Sequence, residues 1–290
     1  MIKKIFLVAM IALVLFNLAG CKKEPTVDAD KDSIIVFFST QAVSASLLKA
    51  TEPATGDETT ISKVIVFGAD KDGNFIQNPV TITSPNPNGQ AMQFKRRVKT
   101  VYAIANPSLE MESFNPTDVT ALKGLTADFT NVPETPFLMS GLGEVDENHS
   151  AVIRLEKPFA KVEIVGIDFD IATVTVKNTP DKGFVFAGAA TLVPGGAGMV
   201  NYLVDTPEDY YENSAIIGKK ITVYVAENSK LSPTQFWVTG TFPDGTTPIN
   251  LYNITLQENN KDIDIERNTY YQIIINAKST NMLRFTKSTF

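Results

Sequence analysis

Reactive and metal-binding side chains are scarce in this chain. Its 290 residues contain one cysteine, one histidine and one tryptophan. A single cysteine excludes an intrachain disulfide, and one histidine with one cysteine cannot build a zinc site of the common four-ligand kind. His149 lies in the polar stretch "DENHSA", which is typical of a turn. We therefore expect neither a metal nor a cofactor.

Groups arranged for catalysis are also scarce. Asp168 and Asp170 lie two residues apart, as do Asp262 and Asp264, so each pair falls on one face of a strand. That spacing is compatible with general acid–base chemistry, but solvated strand faces often carry such pairs. No serine has a nucleophile-elbow context. In "DKDGNF" at 70–75 the glycine comes two positions too early for a calcium loop, and the stretch predicts a hairpin turn. We expect the protein not to be an enzyme.

A short apolar run and the single cysteine come together at the amino terminus. Two lysines precede the apolar residues 5–18, and "LAGC" ends at Cys21. This layout is typical of a secretory signal, and the run is shorter than the roughly 20 residues that span a bilayer. We predict a signal peptide at residues 1–20 and a flexible tether at 21–32.

The tetrapeptide "LAGC" resembles the lipobox of bacterial lipoproteins. The resemblance implies that the peptide is cut before Cys21 and that the thiol, a good nucleophile as thiolate, receives a lipid that anchors the chain in the outer membrane. An ordinary signal peptide with a chance cysteine is the alternative.

The charge of the chain excludes one class of partner. Loss of residues 1–20 would remove two lysines and no acidic residue, which leaves 24 basic against 32 acidic side chains. Binding of nucleic acid requires a basic face, so we expect no nucleic-acid partner.

Apolar and polar residues alternate with a period of two almost everywhere beyond the tether, as in "SKVIVFGA", "TVYAIAN", "KITVYVAEN" and "TYYQIIINA". Turn sequences such as "SPNPNG" and "PDGT" separate these stretches, and "NPTDVTALKGL" predicts one short helix that starts at Pro116 or Thr117 and ends at Gly124. The pattern predicts an all-β fold of antiparallel β-sandwiches. The length favours two domains.

Six stretches follow one another in the order seen in fimbrillins, the pilin subunits of the type V fimbriae of Bacteroidales. They are "ISKVIVFGADKDGNF", "KTVYAIANPS", "PFLMSGLGEV", "AVIRLEKPFAKVEI", "KITVYVAENSK" and "IERNTYYQIIINAK". The resemblance implies two tandem transthyretin-like β-sandwich domains, which we place at 33–156 and 157–290. It also implies a lipoprotein that is exported to the cell surface and assembles with other fimbrial subunits for adhesion to a host or bacterial surface ligand.

Members of that family are typically cut after their first strand by an arginine-specific protease, and this chain departs from the pattern. The matching place reads "SASLLKATEPATGDE", so the candidate cut lies between Lys49 and Ala50 and would remove residues 33–49. Lys49 is the only basic residue between Lys31 and Lys63. The alternative is a linker lysine that is never cut.

The segment that such a cut would release is apolar on both faces. Ile34, Val36 and Phe38 fall on one face of the predicted strand, and Ile35 and Phe37 fall on the other. A strand of this kind is expected inside a sandwich, where burial of five side chains would contribute roughly 7 to 15 kcal/mol. We therefore expect it to leave only when another subunit's strand replaces it.

The carboxyl-terminal residues 279–290 offer a poor replacement strand. Arg284 and Lys287 interrupt the few apolar side chains of this segment, whereas a strand in a groove must bury one whole alternating face. We expect a fimbrial subunit that accepts a strand and donates one weakly. The alternative is a monomeric surface lipoprotein that binds glycan or protein, with Trp237 or its neighbour Phe236 exposed; packing is the expected role of Trp237.

Overall fold

Strands account for most of the described chain. The computed structural model describes residues 31–40, 56–86, 88–95, 97–189, 191–242, 252–276 and 283–289. Helices within these ranges are short, and none of them is long and apolar enough to cross a bilayer. The prediction of an all-β fold is confirmed.

The first half of the chain forms two facing sheets, which we call the N-terminal sandwich. Its strands are β1 (Lys31–Ser39), β2 (Lys63–Ala69), β3 (Val80–Thr83), β4 (Gln90–Lys95), β5 (Thr100–Ala105), β6 (Thr126–Asp128), β7 (Met139–Glu144) and β8 (Ser150–Arg154). Sheet N3 has the order β4-β1-β8, and sheet N4 has the order β3-β2-β5-β7. Alternate apolar residues from both sheets, among them Val36, Val66, Phe94 and Ile153, fill the space between them.

The second half forms the C-terminal sandwich. Its strands are β9 (Phe159–Ile167), β10 (Asp170–Pro180), β11 (Lys182–Phe184), β12 (Met199–Val204), β13 (Glu208–Glu212), β14 (Ala215–Ala226), β15 (Gln235–Thr241), β16 (Tyr252–Ile254), β17 (Gln257–Glu258), β18 (Lys261–Asp262), β19 (Thr269–Asn276) and β20 (Leu283–Thr289). Sheet C5 has the order β13-β14-β9-β19-β20, and sheet C4 has the order β12-β10-β15-β16. Val162, Val176, Val223, Phe236 and Ile273 lie in the core between them.

Two short helices follow β5: α1 (Leu109–Glu112) and α2 (Val119–Lys123). The side chain of Asp118 accepts a hydrogen bond from the backbone N–H of Ala121 and so caps α2, while Gly124 ends it. The predicted end of this helix is therefore confirmed, and its start lies later than predicted, because Asp118 offers the capping oxygen that Pro116 lacks.

A third apolar cluster joins the two sandwiches. Phe67, Tyr102 and Phe137 from the first half pack with Phe159 and Tyr270 from the second. The edge strands β6 and β11 also pair across the two halves. The predicted boundary at Glu156 lies between β8 and β9, and the division into domains at that residue stays a prediction.

Within the described ranges, two strand pairs are parallel and the other pairs are antiparallel. β1 runs parallel to β8, and β9 runs parallel to β19. Neither pair was expected, since alternation reports which face of a strand is buried and carries no information on the direction of its neighbour.

Candidate functional site

The strand β1 lies in the middle of sheet N3. It pairs antiparallel with β4 over Lys31 to Val36 and parallel with β8 over Ile35 to Ser39. It begins at Lys31, so its first two residues overlap the predicted tether. Both edges of its backbone are therefore used in pairing.

The two faces of β1 differ in burial. Ile34 and Val36 are 2% and 0% exposed and face the core, and Phe38 packs against the same cluster. On the other face Ile35 is 44% exposed and Phe37 is half-buried. The expectation that all five side chains are buried was wrong, because within the described residues sheet N3 packs on sheet N4 through one face only. Full burial of two side chains contributes roughly 3 to 6 kcal/mol, at about 1.5 to 3 each.

Both strand pairings of sheet N3 include β1. In the described chain β4 and β8 pair with no strand other than β1. Its departure would leave both strands with unpaired backbone groups and would uncover the core around Val66 and Phe94.

The predicted lipidation and processing residues, Cys21, Lys49 and Ala50, lie outside the described residues. The chain is described again from Gly56, where a 3₁₀ turn (Asp57–Thr59) begins the next element. Glu58 in this turn is 3% exposed. Among the described residues that follow the predicted cut, it is the first buried charged side chain.

The carboxylate of Glu58 is bound by the C-terminal sandwich. Lys161 Nζ on β9 donates to Oε1 and Oε2 at 2.9 and 3.2 Å, and the Tyr224 hydroxyl on β14 donates to Oε1 at 2.6 Å. Burial and this hydrogen bond raise the pKa of Tyr224 well above its usual range. The turn that contains Glu58 is therefore held by the C-terminal sandwich.

A second buried carboxylate lies two residues further along β9. Glu163 is 0% exposed and accepts hydrogen bonds from Lys220, Tyr270 and Gln272 at 2.8 to 2.9 Å. Burial acts to raise its pKa, but the donors from Gln272 and Lys220 outweigh burial and hold the pKa below its usual value. Glu163 therefore stays charged inside the molecule.

Lys157, just before β9, is a buried cation near Glu58. Burial lowers its pKa to about 8, while the charge of Glu58 acts in the opposite direction. The burial of these charged side chains was not predicted from the sequence. In "FAKVEIVGI" the alternation places Lys161 and Glu163 opposite the core, which suggests solvent, whereas a second apolar cluster and Glu58 cover that face.

Structures with a similar arrangement come from proteins of Bacteroidales. A candidate cell adhesion protein from Bacteroides eggerthii has a TM-score of 0.58 and 18% identity, and the match covers 89% of this chain and 95% of that chain. The tip fimbrial protein Mfa3 from Porphyromonas gingivalis, with a C-terminal truncation, has a TM-score of 0.57 and 10% identity, with 89% and 100% covered. A fimbrial assembly protein from Parabacteroides distasonis has a TM-score of 0.52 and 16% identity, with 89% and 96% covered.

The chain has the fold of these adhesion and fimbrial proteins. The likeness extends over both sandwiches, since about nine-tenths of the chain is covered in each comparison. No family model matches the sequence. No curated protein matches it either.

Sheet C4 carries the single tryptophan. Phe236 is fully buried, and Trp237 points outward and is half-buried. Its Nε1 donates to Gln235 at 3.0 Å, and Lys177 Nζ lies 3.2 Å from the ring centroid. Lys177 occupies a face of the ring that a sugar would need, so the geometry favours packing over a sugar platform.

The carboxyl-terminal strand lies on its own sandwich. β20 pairs with β19 at the edge of sheet C5. The ring of Phe285 stacks on Tyr271 with centroids 5.7 Å apart, and Lys287 Nζ lies 2.8 Å from a carboxylate oxygen of Glu266. An intramolecular partner thus competes with any use of this segment between subunits.

The other motifs weighed in the sequence form ordinary turns. Asp70 Oδ1 accepts hydrogen bonds from the backbone N–H groups of Asp72 and Asn74, so its carboxylate closes the turn after β2. Asp146 caps the turn before His149 in the same way, through Asn148 and Ser150. Across the described ranges there is no group of three or more residues that could hold a metal ion.

Proposed function

We propose that this protein is a subunit of a surface fimbrium of the fimbrillin type and that it supports adhesion. The observation that carries the proposal is the fold it shares with a tip fimbrial protein and a fimbrial assembly protein over about nine-tenths of the chain. The six fimbrillin-like stretches of the sequence support the same assignment. The partners are other fimbrial subunits and a ligand on a host or bacterial surface.

The proposed route to the fibre starts with export as a lipoprotein. Cys21 receives the lipid and holds the precursor in the outer membrane. A protease then cuts between Lys49 and Ala50. Cys21 and β1 are on one side of the cut and Glu58 is on the other, so the cut frees the subunit from its lipid once β1 leaves.

Strand exchange follows from the position of β1. Because β4 and β8 have β1 as their ladder partner, we expect β1 to leave only when a strand from a neighbouring subunit takes its place. The Glu58 ion pair keeps the new amino terminus on the C-terminal sandwich during this step. The cut therefore couples processing to polymerisation.

The deciding experiment is amino-terminal sequencing of the chain recovered from purified surface fibres. We expect it to begin at Ala50. Lys49→Ala should stay lipid-bound and monomeric by gel filtration, and Lys71→Ala, which removes an exposed lysine elsewhere, should assemble normally. A chain that begins at Cys21 in fibres would contradict the cleavage step. A persistent monomer with glycan affinity would favour the alternative of a monomeric binding lipoprotein.

The lipid anchor has its own test. Cys21→Ala should abolish incorporation of labelled palmitate and leave the chain soluble or as unprocessed precursor, because no other thiol is present. Palmitate labelling that persists in this variant would contradict lipidation at Cys21.

The position in the fibre follows from β20. Its pairing with β19 and the interruption of its apolar residues by Arg284 and Lys287 indicate a weak donor, as in a tip or minor subunit. Deletion of residues 281–290 should leave assembly of neighbouring subunits intact. Phe285→Ala, which keeps the backbone, serves as a second variant. Fibres that vanish in both variants, with folding intact by circular dichroism, would make the protein a stalk subunit.

A further inference from the structure

A groove of about 770 Å³ opens beside the junction of the two sandwiches. It lies between α1, β6 and the segment before β7. Its floor is apolar and consists of Met111, Phe114, Leu125, Phe129, Leu138 and Phe159. Leu109 stands at its rim with 83% of its surface exposed. A concave apolar surface of this size at a junction is a typical place for a ligand.

One wall of the groove is a strand with a free edge. In the β6–β11 ladder, the Phe129 N–H donates to the carbonyl oxygen of Asp181, and the Val185 N–H donates to the carbonyl oxygen of Leu125. Every second residue of β6, counted from Leu125, therefore directs its backbone groups at β11. The backbone groups of Thr126 and Asp128 therefore point away from β11. In the described part of the chain these groups make no hydrogen bond with another backbone group. They can pair with a further strand.

The rim of the groove carries charge of one sign. Glu110, Asp128 and Glu134 line it, and no lysine, arginine or histidine is among the lining residues. Lys182 faces Asp128 in the β6–β11 ladder and offsets part of this charge. The remaining potential favours a cationic occupant.

We propose that this groove binds an extended segment of a partner protein in which basic and apolar side chains alternate. The segment adds a strand to the free edge of β6, as in β-augmentation. Its apolar side chains pack on Leu109 and the apolar floor of the groove, and its basic side chains face Glu110 and Glu134. The site differs from the position of β1, because its floor belongs to the cluster on the opposite side of sheet N4 from sheet N3.

The test uses the full chain and fluorescein-labelled hexapeptides in fluorescence polarisation. An alternating leucine–lysine peptide should bind, and an alternating leucine–glutamate peptide should bind at least about tenfold more weakly. Methylation of alternate backbone nitrogens of the first peptide should also cost about tenfold or more, since it removes the strand hydrogen bonds. Equal binding of the methylated peptide would overturn strand addition, and equal binding of the acidic peptide would overturn the charge match.

Matched variants distinguish binding of the peptide in the groove from nonspecific attraction of a basic peptide to an acidic protein. Leu109→Ala should weaken binding about fivefold or more without loss of folding, because the side chain is already exposed. Leu231→Ala, which truncates a side chain 90% exposed on the C-terminal sandwich, should leave binding unchanged. Glu134→Gln should weaken it by about two- to fivefold and Glu212→Gln should not. Binding that Leu109→Ala and Glu134→Gln leave unchanged would overturn the site, whatever the outcome for fibre assembly.

Discussion

The ammonium of Lys161 lies 2.9 Å from a carboxylate oxygen of Glu58, with 5% and 4% of the two side chains exposed. Glu58 belongs to the first half of the chain and Lys161 to the second. The ion pair thus ties the turn before β2 to the central strand of sheet C5.

Loss of one partner of this pair should be strongly destabilising. Glu58→Gln leaves Lys161 buried without its counter-ion, which costs about 3 to 5 kcal/mol in comparable cases. The free energy of unfolding in urea measures the effect. The control is Asp72→Asn, which breaks an exposed pair with Lys71 and should cost less than about 1 kcal/mol. Similar losses in the two variants would contradict the role of burial.

Lys157 should make the free energy of unfolding depend on pH in the alkaline range. Its pKa is lowered to about 8 by burial, so above that pH the folded chain has released a proton that the unfolded chain retains up to its ordinary pKa of 10.5. The free energy of unfolding should therefore rise from pH 8 to 10, by at most about 1.4 kcal/mol per pH unit, and Lys157 should cause no change with pH below 8 because it is protonated in both states there. Urea titrations of the wild type and Lys157→Met give the contribution as a difference. A difference that does not change with pH would contradict the shift.

The two faces of β1 should respond differently to truncation. Ile34→Ala removes a buried side chain and should cost about 2 to 5 kcal/mol. Ile35→Ala, one residue away on the open face, should change stability by about 0.5 kcal/mol or less. Thermal unfolding of both variants measures the contrast. Equal effects would indicate that the outer face of sheet N3 is covered.

Gly141 on β7 lies at a close approach of the two sheets of the N-terminal sandwich. A Cβ at this position would lie 1.9 Å from the carbonyl oxygen of Arg154 on β8. Gly141→Ala should force the strands apart and cost about 1 to 3 kcal/mol. Gly195→Ala is the matched control, because a Cβ there would meet no atom within 4 Å. An unchanged denaturation midpoint for Gly141→Ala would show that β7 can shift freely.

The strands were predictable where one face is buried and one is open. β15 alternates between buried Phe236 and Val238 and half-buried Trp237, which is the pattern that period-two analysis detects. β9 is buried over its first eight residues, and alternation alone does not predict that Lys161 and Glu163 are among them. The missing information is tertiary: the partners Glu58 and Gln272 are over a hundred residues away in sequence.

The candidate site was predictable in its location and not in its surroundings. The apolar run at residues 34–38 identified β1, but only the fold could show that Ile35 is exposed and that β8 runs parallel beside it. The groove beside β6 had no sequence signal, because its lining comes from separate loops around Pro107 and Pro133 and from Phe159 on β9.

The parallel pairs β1–β8 and β9–β19 join residues over a hundred positions apart, such as Ile35 with Ser150 and Lys161 with Tyr270. Closure of such long loops slows folding, because the entropy of the loop is lost before the contacts form. A chain that emerges amino terminus first exposes β1 long before β8 exists to pair with it. The topology itself therefore delays folding until most of each half has emerged, so each half stays extended while it is being synthesised.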